Sequence, residues 1–168
     1  DATGDRLLEL LEEALSGRVI EEMPGSPGRY RFANALIQET LNEELSMTGR
    51  VRLHVRVAEM MEAVYGSNSE SHAAELAYHY SLGAMLAGPE KMVHFSKLAA
   101  NQALMVHAPE EALVHFQRAL DVKEERPMDD ETAALLFGLG TAQVATLEMH
   151  QMADAVVTLE RAFDYFVE

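Results

Sequence analysis

The chain contains no cysteine. That excludes a disulfide framework, a thiolate zinc site and a cysteine nucleophile, and it agrees with a reducing, cytoplasmic location. Long apolar runs are also missing, since no uninterrupted stretch approaches the roughly 18 residues that span a bilayer. The opening DATGDRLL lacks the basic and apolar regions of a targeting peptide. Basic side chains are scarce: 13 stand against 28 acidic ones in 168 residues, for a formal net charge of −15. Such a surface opposes nucleic acid and anionic membranes, so neither is an expected partner. What the sequence does have is 48% apolar residues, enough for the core of one domain or two small ones.

Leu7, Leu8, Leu10, Leu11, Ala14 and Leu15 recur at helical spacing, and Gly17 stands where a cap is expected. Val19 to Met23 and Arg29 to Phe32 flank Pro24-Gly25-Ser26-Pro27-Gly28, which predicts a β-hairpin over 19–32. It is the only strand signal in the chain. Asn34 is placed to cap a helix to about Leu45, and Ser46-Met47-Thr48-Gly49 breaks it. A second helix is expected over 49–65, then helices at about 70–86, 89–106, 109–124, 130–148 and 152–167. Pro89 and Pro109 sit at first-turn positions, Arg126-Pro127-Met128-Asp129 forms a break, and such short connections make successive helices neighbours.

An internal repeat runs through the later helices. Ala112, Phe116, Arg118 and Ala119 share a spacing with Ala155, Leu159, Arg161 and Ala162, 43 residues on. Small residues let helices approach closely while the larger one fills the groove, as in the second helix of a tetratricopeptide (TPR) unit. The period exceeds the usual 34 and Leu139-Gly140 stands too far upstream of Ala155, so the units are TPR-like.

The stretch Arg29-Tyr30-Arg31-Phe32-Ala33-Asn34-Ala35-Leu36-Ile37-Gln38-Glu39-Thr40-Leu41, with Arg52-Leu53-His54-Val55-Arg56, resembles a known junction. It is the junction between winged helix and helical repeats in STAND-class signal-transduction ATPase regulators. That class includes LuxR-type large regulators and ATPase regions attached to nucleotide cyclases. Ala73-Ala74-Glu75-Leu76-Ala77-Tyr78-His79-Tyr80 and Glu110-Glu111-Ala112 follow in the family's order. The resemblance implies a mainly α chain, with a partial winged helix containing one β-hairpin followed by TPR-like antiparallel helical repeats. Residues 1–66 would be the C-terminal part of the winged helix and 67–168 an incomplete repeat array. It further implies that ATP or ADP is bound by an upstream ATPase domain, because this chain has no Gly-x-x-x-x-Gly-Lys-Ser/Thr loop and therefore no cofactor of its own. Asn34 occupies the position where the family often carries a histidine at the β-phosphate of ADP. Asparagine can donate a hydrogen bond there but carries no charge, and the N-cap reading stands beside the nucleotide-sensing one.

Seven histidines raise metal binding, most plausibly through His72 with His79 or His94 with His115, but no His-Glu-x-x-His pair occurs and packing histidines explain them. No Gly-x-Ser-x-Gly elbow is present, and the acids Glu12, Glu13, Glu43 and Glu44 lie on polar helix faces, so no enzyme chemistry is expected. Arg50, Arg52, His54 and Arg56 form the one basic cluster. Residues 1–56 nevertheless carry 7 basic and 10 acidic groups and residues 57–168 carry 6 and 18, which argues against DNA contact. The ten methionines, Met47, Met60, Met85, Met92 and Met105 among them, are read as core fillers. Phe137, Phe163, Tyr165 and Phe166 are read as an apolar face left for a further unit to cover. The expectation is a non-catalytic regulatory segment that relays a protein partner or inducer on the repeats to the upstream ATPase; the alternative is a free-standing TPR-like scaffold.

Overall fold

The computed structural model describes residues 2–123, 127–146 and 152–167. The expected helix ends at 124 and 148, Arg126 of the break and Met149 lie outside the described residues. The chain is mainly helical with one small two-stranded antiparallel hairpin. It forms two compact units, Asp1–Arg50 and Val51–Glu168.

The first unit opens with α1 (Ala2–Ser16), which ends as Val19 N donates to Ala14 O and Arg18 N to Leu15 O. This is the Schellman pattern, and its left-handed position falls on Arg18 (φ 53°) rather than on a glycine. Strands β1 (Ile20–Glu22) and β2 (Tyr30–Phe32) pair with Glu21 opposite Arg31. Arg31 Nε donates to Glu21 Oε1 at 2.6 Å across the ladder. The connecting turn is possible because Gly25 (φ 75°) and Gly28 (φ 77°) enter the left-handed region. Asn34 is the N-cap of α2 (Ala35–Glu44), its Oδ1 accepting from Leu36 N at 2.8 Å. Ser46 then caps the next helix, α3 (Met47–Tyr65), by accepting from Gly49 N. The polar tetrapeptide therefore starts α3 two residues earlier than its glycine suggests. Among the described residues of this unit none is fully buried.

The second unit holds the rest of α3, a 3-10 helix (Gly66–His72), α4 (Ala73–Ala87), α5 (Pro89–Met105), α6 (Pro109–Asp121), α7 (Asp130–Thr146) and α8 (Met152–Val167). The 3-10 segment, a run of Gly, Ser, Asn, Glu and His with no apolar stripe, delays α4 to Ala73. Pro89 and Pro109 open their helices as expected. From α4 onward each helix packs on the next, and α5 also touches α7. The core is built largely of alanine, with Ala58, Ala73, Ala77, Ala100, Ala112, Ala119 and Ala142 buried around Tyr80, Phe116, Leu76 and Leu135. Alanine lets helix axes approach closely, so the few large side chains become the keystones. The reading of methionines as core fillers holds for some of them only. Met92 is buried and Met61 packs half-buried on the core, but Met47, Met60, Met85 and Met105 are exposed.

Candidate functional site

Phe116 on α6 and Leu159 on α8 occupy equivalent places in the internal repeat, and both press on glycines of α7. A Cβ on Gly138 would lie 2.3 Å from Phe116 Cζ, and one on Gly140 would lie 2.6 Å from Leu159 Cγ. Ala112, Ala119, Ala155 and Ala162 are buried beside them. Helix α7 thus receives one large side chain from each neighbour at a position without a side chain of its own.

This packing leaves a cleft of about 410 Å³ lined from α6, α7 and α8. Its polar groups are Gln117, Lys123, Thr132, Gln143, Thr158 and Arg161, and no acid, histidine or serine is among its lining residues. Lys123 is already satisfied, giving 2.9 Å and 2.6 Å ion pairs to Asp129 and Glu131. Burial alone would lower its pKa, and the two carboxylates outweigh burial and raise it. Asp129 is held well below the usual carboxylate range by hydrogen bonds from the Thr132 hydroxyl and backbone and from Lys123. Two groups remain open. Gln143 Oε1 is buried without a hydrogen-bond partner among the described residues, and Arg161 makes no ion pair among them. A buried acceptor without a donor is costly.

Two polar clusters on α3 and α4 have no counterpart in the sequence motifs. Tyr80, almost fully buried, donates to Glu62, and Lys91 from α5 donates to the same carboxylate oxygen at 2.6 Å. Burial and that hydrogen bond push the Tyr80 hydroxyl up to about 12. Burial would raise Glu62, yet the hydrogen bonds from Lys91 and Tyr80 prevail and lower it. The triad ties three helices together, with the Lys91 side chain half exposed and the Tyr80 ring buried. The second cluster joins His54 and His79, whose Nδ1 atoms lie 2.9 Å apart. Burial and the neighbouring His54 lower the His79 pKa.

His79 therefore meets His54, not His72, which stacks on Tyr65 with centroids 3.7 Å apart. His94 sits edge-on to Phe95 and His115 beside Arg118. Among the described residues no group of three or more His, Cys, Asp or Glu could hold a metal ion. Asn34 spends its side-chain oxygen on the α2 cap. Arg52 and Arg56 are exposed while His54 turns toward α4. Phe137, Phe163 and Phe166 surround an apolar groove of about 430 Å³ with Leu159 and Ala162, whereas the Tyr165 hydroxyl turns to Asp130. Among the described residues no helix is long and apolar enough to cross a membrane.

Neither a family model, nor a curated protein, nor a solved structure matches this chain.

Proposed function

We propose that this chain is a non-catalytic regulatory and protein-interaction segment of a larger STAND-type ATPase regulator of signalling or transcription. In this reading residues 1–66 are the C-terminal part of a winged helix and 67–168 are TPR-like repeats. A protein partner or inducer binds the repeats, and the helices relay its binding to the nucleotide state of an upstream ATPase domain that holds ATP or ADP. Such a relay is a coupling free energy between two sites, reciprocal by necessity. The observation that supports it best is the cleft between α6, α7 and α8, whose lining includes Gln143, with a buried oxygen that has no hydrogen-bond partner among the described residues, and Arg161, which makes no ion pair among them. That lining recognises rather than reacts.

The reading is tested in the gene and in the whole protein. The coding sequence ahead of Asp1 should contain a P-loop within a few hundred residues. ATP hydrolysis by the full-length protein should then change when Gln143→Leu and Arg161→Glu are introduced together. An upstream sequence with no P-loop would leave a free-standing scaffold, and unchanged hydrolysis would remove the cleft from the relay.

A further inference from the structure

Helix α3 runs from Met47 to Tyr65, so it leaves the first unit at Arg50 and enters the second at Val51. Its later part is held to the helices that follow at spaced points. Val55 crosses α4 at Gly83, where a Cβ on the glycine would stand 2.5 Å from Val55 Cγ2. Ala58 joins the core, Glu62 receives hydrogen bonds from Tyr80 and Lys91, and Tyr65 stacks on His72. Ahead of all these in the chain stands His54, tied to His79 of α4.

The two imidazoles meet end to end. Their Nδ1 atoms lie 2.9 Å apart and their centroids 5.1 Å apart. That centroid separation is close to the largest the Nδ1 distance permits in five-membered rings, so the two nitrogens point at each other, whereas two metal ligands would converge on a third point. The contact is an N–H···N hydrogen bond, which needs one Nδ1 with a proton and one without. With both rings neutral the bond exists, and with one ring charged it persists with charge assistance. With both charged, the bond has no acceptor and two like charges face each other. The surroundings mostly oppose that state. Tyr78 is edge-on to both rings. On α3, Arg50 stands one turn before His54 and Arg52 and Arg56 flank it, all exposed. Glu75, one turn before His79, acts the other way, but it is exposed and also reaches His72 of the 3-10 helix. Helix α5 sets Lys91 and His94 near Glu62.

We propose that the His54–His79 pair is a proton-operated latch: uptake of a second proton by the pair parts the start of α3 in the second unit from α4. Parted rings stand in water and take protons near the ordinary histidine range, while the joined pair resists the second proton, so acid favours the parted state. The core contact of Ala58 and the Glu62 triad contain no histidine bond to break, so the opening is local to the segment that leads in from the first unit.

Because the chain has no cysteine, spin labels can be placed at chosen pairs without competing thiols. Leu53→Cys with Leu82→Cys, both exposed, reports the α3–α4 distance, and Asn101→Cys with Gln117→Cys reports α5–α6 as a control for general loosening. Between pH 7.5 and pH 5.5 the population with a longer α3–α4 distance should rise several-fold, with a ceiling of about tenfold set by one proton taken up per opening. The α5–α6 distance should not move. The His54→Gln, His79→Gln double variant should show no change with pH, and His72→Gln should keep the parent's response. Nuclear magnetic resonance should show the two imidazoles titrating as one coupled pair in two separated steps. The proposal is overturned if the α3–α4 distances are the same at both pH values, or if the control pair moves with them. It is overturned equally if the double variant still responds, if His72→Gln abolishes the response, or if the two rings titrate independently.

Discussion

Replacing Gly138 by alanine sets two effects of known size against each other. Helix propensity favours the change by about 1 kcal/mol, because Gly138 lies in the interior of α7. Packing opposes it. The new methyl carbon would stand 2.3, 2.5 and 2.9 Å from three atoms of the Phe116 ring, where carbon atoms rest at about 3.5 to 4.0 Å. The ring is rigid, only 1% exposed, and flanked on α6 by the buried Ala112 and Ala119, so it has no free rotamer to retreat to. Overpacking of this kind costs about 1 to 3 kcal/mol and should overcome the propensity gain, leaving a net loss of about 1 kcal/mol or more. The assay is urea unfolding at equal slope beside the parent and two comparisons. Gly4→Ala, with nothing within 4 Å of its Cβ, should be neutral or slightly stabilising. Gly140→Ala should cost less than Gly138→Ala, because Leu159 is half-buried and can shift. Phe116→Leu combined with Gly138→Ala should be less destabilised than the two single changes summed, by about 1 kcal/mol. If Gly138→Ala unfolds with the parent's midpoint and slope, the ring does not pack on that glycine and the account of the α6–α7 interface is refuted.

Three further outcomes follow from local structure. His107, at φ 60°, holds the left-handed place after α5, so His107→Gly should stabilise by about 1 kcal/mol in the same urea assay. Lys123→Met should cost about 1 kcal/mol or less, since Asp129 and Glu131 are half-exposed and can turn to water, whereas Lys123→Ala adds a void and should cost about 2 kcal/mol. The folded-state pKa of His79 lies below its ordinary 6.5, so as pH falls below 6.5 the unfolded chain takes the proton first and stability drops until the folded-state pKa is passed. The urea midpoint should therefore fall between pH 7.5 and pH 5.5, and His79→Gln should flatten that fall; an unchanged slope in the variant would remove His79 as a cause.

Helix positions were legible where a residue with a fixed backbone preference met an apolar period. Pro89 and Pro109 open α5 and α6 and Asn34 caps α2, because ring geometry and a side-chain oxygen act locally, without help from the tertiary structure. Where the deciding contact is a backbone hydrogen bond, the sequence is mute. Arg18 and His107 adopt left-handed conformations because Val19 N and Ala108 N reach back to Ala14 and Ala103, and neither side chain announces it. Ser46 looks like part of a break until its hydroxyl is seen accepting from Gly49 N.

The same division holds for the candidate site. The repeat positions Ala112, Phe116, Ala119, Ala155, Leu159 and Ala162 are visible as a spacing because they recur on two helices. The glycines they press on, 138 and 140, recur on neither, and only the close approach of α7 gives them meaning. Glu62, Tyr80 and Lys91 stand on three helices at unrelated separations, and His54 and His79 lie 25 residues apart. No motif could join them, since what brings them together is the alanine core beneath. A chain whose helices touch through small residues puts its polar groups within reach of each other by default, so its polar clusters follow from the packing rather than from any spacing along the chain.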